Sequence, residues 1–441
     1  MSKWTDEQVT ALAPDASSLK AGRGLALPGK WSNVGASEQA IWGECQGSGK
    51  DPYRTQIDLS EPAFKCNCPS HKFPCKHGLG LFFLYANSLV TFASAAQPEW
   101  VSEWLTTRAK RAETKVAKAE EKAEKPVDVK AQSKRVAKRE ENVLAGLQEL
   151  MLRLYDLMRN GLSDAQCQTY AYWDAMAARM VDAQTPGLAR ILRQMPGIMA
   201  TGDNRYERAL QKLAQLHMLI DAYQRIDTLP PGLQEEIRSI LGWTTKQEEL
   251  FQQNPAVADQ WLVLGKRIDE EDKLKVQRTW LYGLNTAQPA LLLSFAAGRQ
   301  VLDTTIPPGV VLDAEVVYFP SSLPIRVAIK EQRGISNADA VPAGLPSIEA
   351  LYTAYGTAVS SNPWLESFPA MLQQVVVIAQ EDGWVIRDEA GAIMPVHTRC
   401  TWGWDMLAVT GGHPCWMMGE WDGYSFIPLS VWTDGRITNF A

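Results

Sequence analysis

The chain has 441 residues, of which 46% are hydrophobic and 21% are charged, and its formal net charge at pH 7 is −6. This composition excludes a largely disordered chain, and the length exceeds that of one hydrophobic core, so about two to four domains are expected. Three of the seven cysteines lie in one cluster and the other four are scattered, and the start MSKWTDEQVTALAPD is unlike a secretory signal. These features argue against a disulfide framework and predict a cytoplasmic protein.

Four metal-binding side chains lie close together in FKCNCPSHKFPCKHGLGL, namely Cys66, Cys68, Cys75 and His77. Three thiolates and one imidazole form the closed tetrahedral set of a structural Zn²⁺. On an extended segment the side chains of Cys66 and Cys68 project from the same face and can bind one ion together. His71 lies in the same segment and is the alternative to His77. One alternative is that these are ordinary buried cysteines, which would suit a single cysteine better than a cluster of three with a histidine. The other alternative is a redox pair, which would have the spacing CxxC.

The pattern CxCx6CxH, with strand-like segments before it and an apolar helix after it, resembles a SWIM zinc finger over about residues 30–95. Before the ligands, IWGECQGSGKDPYRTQIDL predicts two strands around a glycine turn. The tail GGHPCWMMGEWDGYSFIPLSVW resembles bacterial SWIM-containing proteins, which are often encoded beside MoxR-type AAA ATPases and von Willebrand A domain proteins. The resemblance implies nucleic-acid or protein partners, whereas the spacing itself indicates only a metal site.

The apolar stretch from 79 to 96 follows the metal ligands directly. It contains Asn87, Ser88, Thr91 and Ser94, which a membrane span would have to bury in lipid. A metal loop also needs a helix on which to pack. The stretch therefore predicts a core helix near its start, and no membrane association is expected.

Positive charge is concentrated from Arg108 to Arg139, where 12 Lys and Arg face 5 Asp and Glu. Few apolar residues interrupt this segment, which predicts a solvated, partly helical linker. The alternative is an arm that neutralises phosphates, although no aromatic residue is interleaved for base stacking.

Lys65, Lys72 and Lys76 form a second basic cluster beside the metal ligands. They are candidate contacts for nucleic acid or a partner, or they offset the negative charge of zinc with three thiolates.

From about Glu140 to Leu284 the pattern is helical. In NVLAGLQELMLRLYDLMRNG apolar residues recur every three or four positions up to Gly161, which predicts one long amphipathic helix. Further amphipathic runs follow, separated by prolines and short connections. A helical bundle is predicted, and its surface is expected to receive another protein.

From about residue 290 the pattern changes to β. Asp382-Gly383 and Asp422-Gly423 predict hairpins, and IEALYTAYGTAV predicts a helix near residues 348–359. Of the 16 tryptophans, five lie in the last forty residues: Trp402, Trp404, Trp416, Trp421 and Trp432. We interpret them as core residues of a small β domain; the alternative is a stacking or docking surface.

The sequence contains little that supports a catalytic site. GECQGSGKD departs from a phosphate loop in spacing and lacks the Ser or Thr, and HExxH, GxSxG and GxGxxG are missing from the sequence. His217, His397 and His413 remain as candidate general bases. His413-Pro414-Cys415 places an imidazole near a thiol, but no carboxylate that would orient the imidazole can be assigned. A hydrolase site in the C-terminal region stays an open alternative, and no enzymatic activity is predicted.

Together these observations predict an α+β multidomain protein. Its parts are a SWIM zinc module at 1–100, a charged linker at 101–140, a helical domain at 141–288 and a β-rich domain at 289–441. The predicted function is that of a non-enzymatic, zinc-binding adaptor working with an AAA ATPase or von Willebrand A partner. The alternative is a nucleic-acid-binding protein that uses the zinc module and the basic linker.

Overall fold

The structure of this chain is a computed structural model. It describes residues 4–14, 16–47, 51–59, 62–70, 72–94, 97–110, 129–163, 167, 169–200, 204–271, 274–297, 302 and 306–440. Within these residues a five-stranded sheet with helices is followed by a helical bundle, a closed barrel and a six-stranded sheet. The predicted α+β multidomain class, with strands and a helix first, helices in the middle and strands at the end, is confirmed.

The N-terminal module consists of α1 Asp6–Ala11, α2 Ala16–Leu25, β1 Trp31–Ala36, β2 Ala40–Cys45, β3 Tyr53–Asp58, β4 Ala63–Cys66, α3 Lys76–Ala86, β5 Ala93–Ser94 and α4 at 99–110. Its strand order is β4-β3-β2-β1-β5, and β2 and β3 form the predicted antiparallel pair. Helix α3 lies against this sheet with residues 77–84 buried, as predicted for a core helix. In the part of the chain that the structure describes, no helix is long and apolar enough to cross a membrane.

Helix α4 belongs to this module. Val101 and Leu105 are buried against Ala40 and Trp42 of β2, and Arg108 Nε lies 3.4 Å from the carboxylate of Asp58. The predicted linker at 101–140 therefore began too early, because four apolar positions of α4 supply a packing face within a charged sequence. Residues 111–128, which carry much of the predicted basic segment, lie outside the described residues.

The helical bundle consists of α5 Val129–Asn160, α6 Tyr170–Asp182, α7 Pro186–Ala200, α8 Arg205–Gln224, α9 Pro231–Leu241 and α10 Gln247–Gln253. The predicted apolar stripe of α5 is buried in its core, including Val143, Leu147 and Leu150. Gly161 follows the helix with a φ of 85°, a left-handed conformation that glycine adopts without strain. Helix α5 begins at Val129. Residues 129–140, which were predicted to belong to the linker, are therefore helical.

Two glycines of α7 lie in different surroundings and give a matched test of the bundle. A Cβ at Gly187 would lie 1.8 Å from the backbone oxygen of Ile240 on α9, whereas a Cβ at Gly197 would meet no heavy atom within 4 Å. Gly187→Ala should therefore force the helices apart and lower the free energy of unfolding by about 3 kcal/mol. Gly197→Ala should be neutral or stabilise by up to about 1 kcal/mol. Urea unfolding followed by circular dichroism measures both, and equal effects would contradict this packing.

The barrel consists of β6 Ala256–Glu271, β7 Leu274–Gly283, β8 Pro289–Ala297, β9 Val310–Tyr318 and β10 Arg326–Asn337. It closes in the order β10-β8-β7-β6-β9. Trp261 belongs to a hydrophobic cluster shared with α3 of the N-terminal module, and Trp280 belongs to a cluster shared with the C-terminal sheet. The barrel thus lies between the two other β structures.

The prediction that helix continues to residue 284 was wrong for 256–271 and 274–283, which form β6 and β7. This stretch contains KRIDEEDKLK, whose Lys and Glu residues have high helix propensity. Pairing with each other and with β8 and β9 overrides that local preference. The change from helix to strand therefore comes about thirty residues before the predicted boundary.

The C-terminal part consists of α11 Ile348–Ser361, β11 Phe368–Gln380, β12 Gly383–Arg387, β13 Ile393–Pro395, α12 Gly403–Thr410, β14 Cys415–Trp421, β15 Phe426–Thr433 and β16 Arg436–Asn439. Its strand order is β13-β12-β11-β14-β15-β16. The predicted helix near 348–359 is confirmed as α11, which begins where the Ser347 hydroxyl accepts a hydrogen bond from the Ala350 N–H. Both predicted hairpins are present, joining β11 to β12 and β14 to β15.

The C-terminal tryptophans occupy different environments. Trp416 and Trp421 are buried, which agrees with their interpretation as core residues. Trp404 is 68% exposed, so the core interpretation does not extend to every member of the group. Its ring centroid lies 5.0 Å from that of Trp384 in an edge-to-face arrangement.

Candidate metal centre

The four predicted zinc ligands come from three adjoining pieces of backbone. Cys66 is the last residue of β4, Cys68 follows in the loop, and Cys75 is the N-cap of α3, so that His77 lies in its first turn. The loop is attached to the sheet because the Asn67 side chain accepts a hydrogen bond from the Arg54 N–H at 2.9 Å. This arrangement is the strand, loop and helix that the sequence predicts.

The structure brings the four side chains together. One ligand atom from each of Cys66, Cys68, Cys75 and His77 lies within 4.8 Å of all the others. The distance from Cys66 Sγ to His77 Nδ1 is 3.8 Å, and ligand atoms around a tetrahedral zinc lie roughly 3.5–3.8 Å apart. Three sulfurs and one nitrogen at these separations fit Zn²⁺, and Nδ1 is the imidazole nitrogen that faces the cluster.

Neighbouring groups orient the ligands. The Thr55 hydroxyl donates to Cys66 Sγ at 3.3 Å, and the Gly78 N–H donates to Cys75 Sγ at 3.5 Å. The ring centroid of Tyr53 lies 4.7 Å from that of His77, which is itself buried. Such outer contacts fix ligand geometry and raise metal affinity. Sequence reasoning missed Thr55 and Tyr53, because they reach the site only through the pairing of β3 with β4.

The cysteine thiols differ in acidity. A hydrogen bond from Cys66 lowers the pKa of the Cys75 thiol to about 4, although burial opposes this effect. The same hydrogen bond, together with burial, raises the pKa of Cys66. Within this hydrogen-bonded pair, Cys75 is the sulfur that loses its proton more readily. A bound zinc ion would hold all three sulfurs as thiolates and link the loop to the helix.

The candidate contact lysines surround this centre. Lys65 and Lys76 are exposed, and Lys72 donates from Nζ to the Ser17 hydroxyl at 2.9 Å. Their assignment to nucleic acid or a partner stays a prediction. His71, the alternative ligand, lies outside the described residues.

Cys415, for which the sequence predicts no catalytic role, belongs to the hydrophobic core of the C-terminal sheet. Cys415 Sγ is buried and donates to the Val375 carbonyl at 3.4 Å, and burial raises its thiol pKa to about 12. His413 is exposed, in the turn before β14. His217 lies on the outside of α8, where its Nε2 is 3.5 Å from the Tyr155 hydroxyl. A neutral, buried thiol is a poor nucleophile.

Two family models match this chain. The SWIM zinc finger matches residues 53–86, which run from β3 through the metal ligands to the end of α3. The SWIM-associated four-helix bundle domain matches residues 138–241, from within α5 to the end of α9. Comparison with curated proteins and with solved structures found no match.

These matches agree with the geometry, since the zinc finger match contains all four clustered ligands. SWIM domains in general mediate interactions with protein or DNA. The family match and the ligand cluster together show that zinc is the cofactor of this module. The chain therefore contains a SWIM zinc finger at residues 53–86, followed by a SWIM-associated four-helix bundle domain at residues 138–241.

Proposed function

We propose that this protein is a non-enzymatic cytoplasmic adaptor, in which structural zinc folds the N-terminal module while the helical and β parts bind a protein partner. The observation that carries this proposal is the closed ligand set of Cys66, Cys68, Cys75 and His77. Four protein ligands complete a tetrahedral zinc shell and leave no position for a reactive water. Zinc in this set therefore contributes to folding rather than to chemistry.

The outer surface of the bundle supports a protein partner. Apolar side chains are exposed on the outer sides of α5 and α8, and we call them the apolar face: Leu144, Leu152, Tyr155, Met158, Leu210 and Met218. Leu152 is 64% exposed and Met158 is 57% exposed. The contact between Tyr155 and His217 brings the two helices together at this face. Groups of exposed apolar residues are typical of protein interaction sites.

The identity of the partner rests on resemblance. Bacterial SWIM-containing proteins resembling this chain are often encoded beside MoxR-type AAA ATPases and von Willebrand A domain proteins, so we propose a partner from one of these classes. The net charge of −6 favours a protein partner over a phosphate backbone. Nucleic-acid binding through Lys65, Lys72, Lys76 and the basic segment is the alternative that the experiment must separate.

The test is binding of a purified MoxR-type ATPase or von Willebrand A protein to the zinc-loaded full chain, with and without nuclease. Leu152→Asp on the apolar face should weaken binding about thirtyfold, as expected for a hot-spot residue. The matched control is Leu284→Asp, since Leu284 is 44% exposed outside the apolar face; it should bind as the wild type does. Loss of binding on nuclease treatment, with a steep dependence on salt, would instead identify a nucleic-acid-binding protein.

A further inference from the structure

A charged cleft lies between the helical bundle, the barrel and the C-terminal sheet. Its cavity volume is about 650 Å³, and its lining includes seven Arg or Lys residues and five Asp or Glu residues. The cleft is thus a positive region of a chain whose net charge is −6. It lies apart from the metal ligands, none of which lines it.

Three of the five carboxylates in this cleft are each shared between two cations. Glu420 of β14 lies 2.9 Å from Arg267 of β6 and 3.0 Å from Arg278 of β7. Asp269 lies 2.9 Å from the same Arg267 and 3.0 Å from Arg399. Three guanidinium groups are therefore neutralised by only two carboxylates.

On the side of the cleft formed by the helical bundle, cations again outnumber carboxylates. Glu366 lies 3.3 Å from Arg190 and 3.8 Å from Lys212, so one carboxylate serves two more cations. Arg208 of α8 lies over the ring of Tyr424, 5.1 Å from its centroid. Two further acids line the cleft, Glu270 and Asp422, and Asp422 Oδ1 accepts hydrogen bonds from the Tyr424 and Ser425 N–H groups.

Arg267 shows that the network is incomplete. The residue is only 9% exposed, and its Nε and Nη1 have no hydrogen-bond partner among the described residues. A buried guanidinium is costly unless its donors are satisfied. An anion bound in the cleft would balance the surplus positive charge around Arg267.

We propose that this cleft binds a phosphate-bearing small molecule of nucleotide size. The guanidinium group of an arginine can donate two parallel hydrogen bonds to two phosphate oxygens. The ion pairs described above join five cations to three carboxylates, and this surplus of about two positive charges matches a dianion. The cavity volume lies within the usual range of small-ligand sites. Tyr170, Tyr355 and Tyr424 also line the cleft and offer aromatic rings to a base. A bound ligand would link the bundle to both β structures.

The proposal is tested by isothermal titration calorimetry of the zinc-loaded full chain with inorganic pyrophosphate and with ADP at low salt. Saturable binding of at least ADP is expected. The side chain of Arg399 is 51% exposed, so Arg399→Gln should fold, and it should weaken ADP binding about tenfold because one charge-assisted contact is lost. Arg208→Gln should act in the same direction. The control Arg225→Gln removes an exposed guanidinium paired with Asp221 outside the cleft and should bind ADP as the wild type does.

Equal weakening by Arg225→Gln would overturn the proposal, since it would indicate attraction by general charge. Absence of saturable binding of both probes would also overturn it. A single-stranded oligonucleotide that binds far more tightly than ADP, in competition with it, would replace the small molecule by a nucleic acid. Equal affinity for pyrophosphate and ADP would support the phosphate contacts and exclude a contribution from the base.

Discussion

Replacing Cys68 by Ser is expected to release zinc and unfold the N-terminal module. Cys68 is one of four ligands whose atoms lie within 4.8 Å of one another, and a serine hydroxyl is a poor substitute for a thiolate. In small zinc modules metal binding contributes about 10–16 kcal/mol, because the ligands converge only in the folded state.

The damage should reach the barrel as well. Leu79, Phe82 and Phe83 of α3 belong to the same hydrophobic cluster as Trp261 and Val263 of β6. Gln8 of α1 also donates to Asn337 Oδ1 at the end of β10, at 2.8 Å. Loss of α3 would expose these barrel residues to water, so the barrel should become less protected while the C-terminal sheet changes little.

Elemental analysis and amide hydrogen exchange measure the two effects. The matched control is Cys45→Ser, because Cys45 is a buried cysteine of β2 in the same module and lies outside the ligand cluster. The control should keep stoichiometric zinc and protected amides in α3. Stoichiometric zinc in the Cys68→Ser protein would show that the ligand assignment is wrong.

Glu420→Gln is expected to lower the free energy of unfolding by about 3–5 kcal/mol, because it leaves the buried Arg267 and the half-buried Arg278 without their shared anion. Glu420 is 2% exposed and lies within 3.0 Å of both Arg267 and Arg278. It also accepts a hydrogen bond from Trp280 Nε1 at 2.7 Å. The glutamine amide keeps the shape of the side chain but carries no charge.

The same carboxylate makes stability depend on pH. Burial alone would raise the pKa of Glu420, but attraction to Arg278 and Arg267 outweighs burial and lowers it below its ordinary value of 4.5. A carboxyl whose pKa is lower in the folded state stabilises the fold above its unfolded pKa. That contribution is lost as the pH falls below about 4.5 through the folded pKa. In the Glu420→Gln protein this part of the acid sensitivity should be missing.

Chemical denaturation at a series of pH values from neutral to acidic tests this prediction. Glu381→Gln is the control, since Glu381 lies exposed in the loop between β11 and β12; it should change the free energy of unfolding by less than about 0.5 kcal/mol. If Glu420→Gln is as stable as the control at neutral pH, the ion network contributes nothing to the fold.

Local features of the chain were predictable. The four zinc ligands lie between residues 66 and 77, so their chemistry and spacing were visible without knowledge of the fold. The apolar period of α5 and the hairpin at Asp422-Gly423 are equally local. A further hairpin was available to the same reasoning, because Asp434 and Gly435 join β15 to β16 with positive φ at both residues.

Nonlocal features were not predictable. The end of β6 and the start of β7 are rich in Lys and Glu, which favour a helix locally, and they form strands through pairing with each other and with β8 and β9. Arg278 and Glu420 form an ion pair although 142 positions separate them in the sequence. The sequence by itself therefore determined the zinc centre, the amphipathic helices and the turns, because each depends on residues that are neighbours along the chain. The tertiary structure alone decided the barrel and the charged cleft, because long-range strand pairing and shared burial outweigh local propensity there.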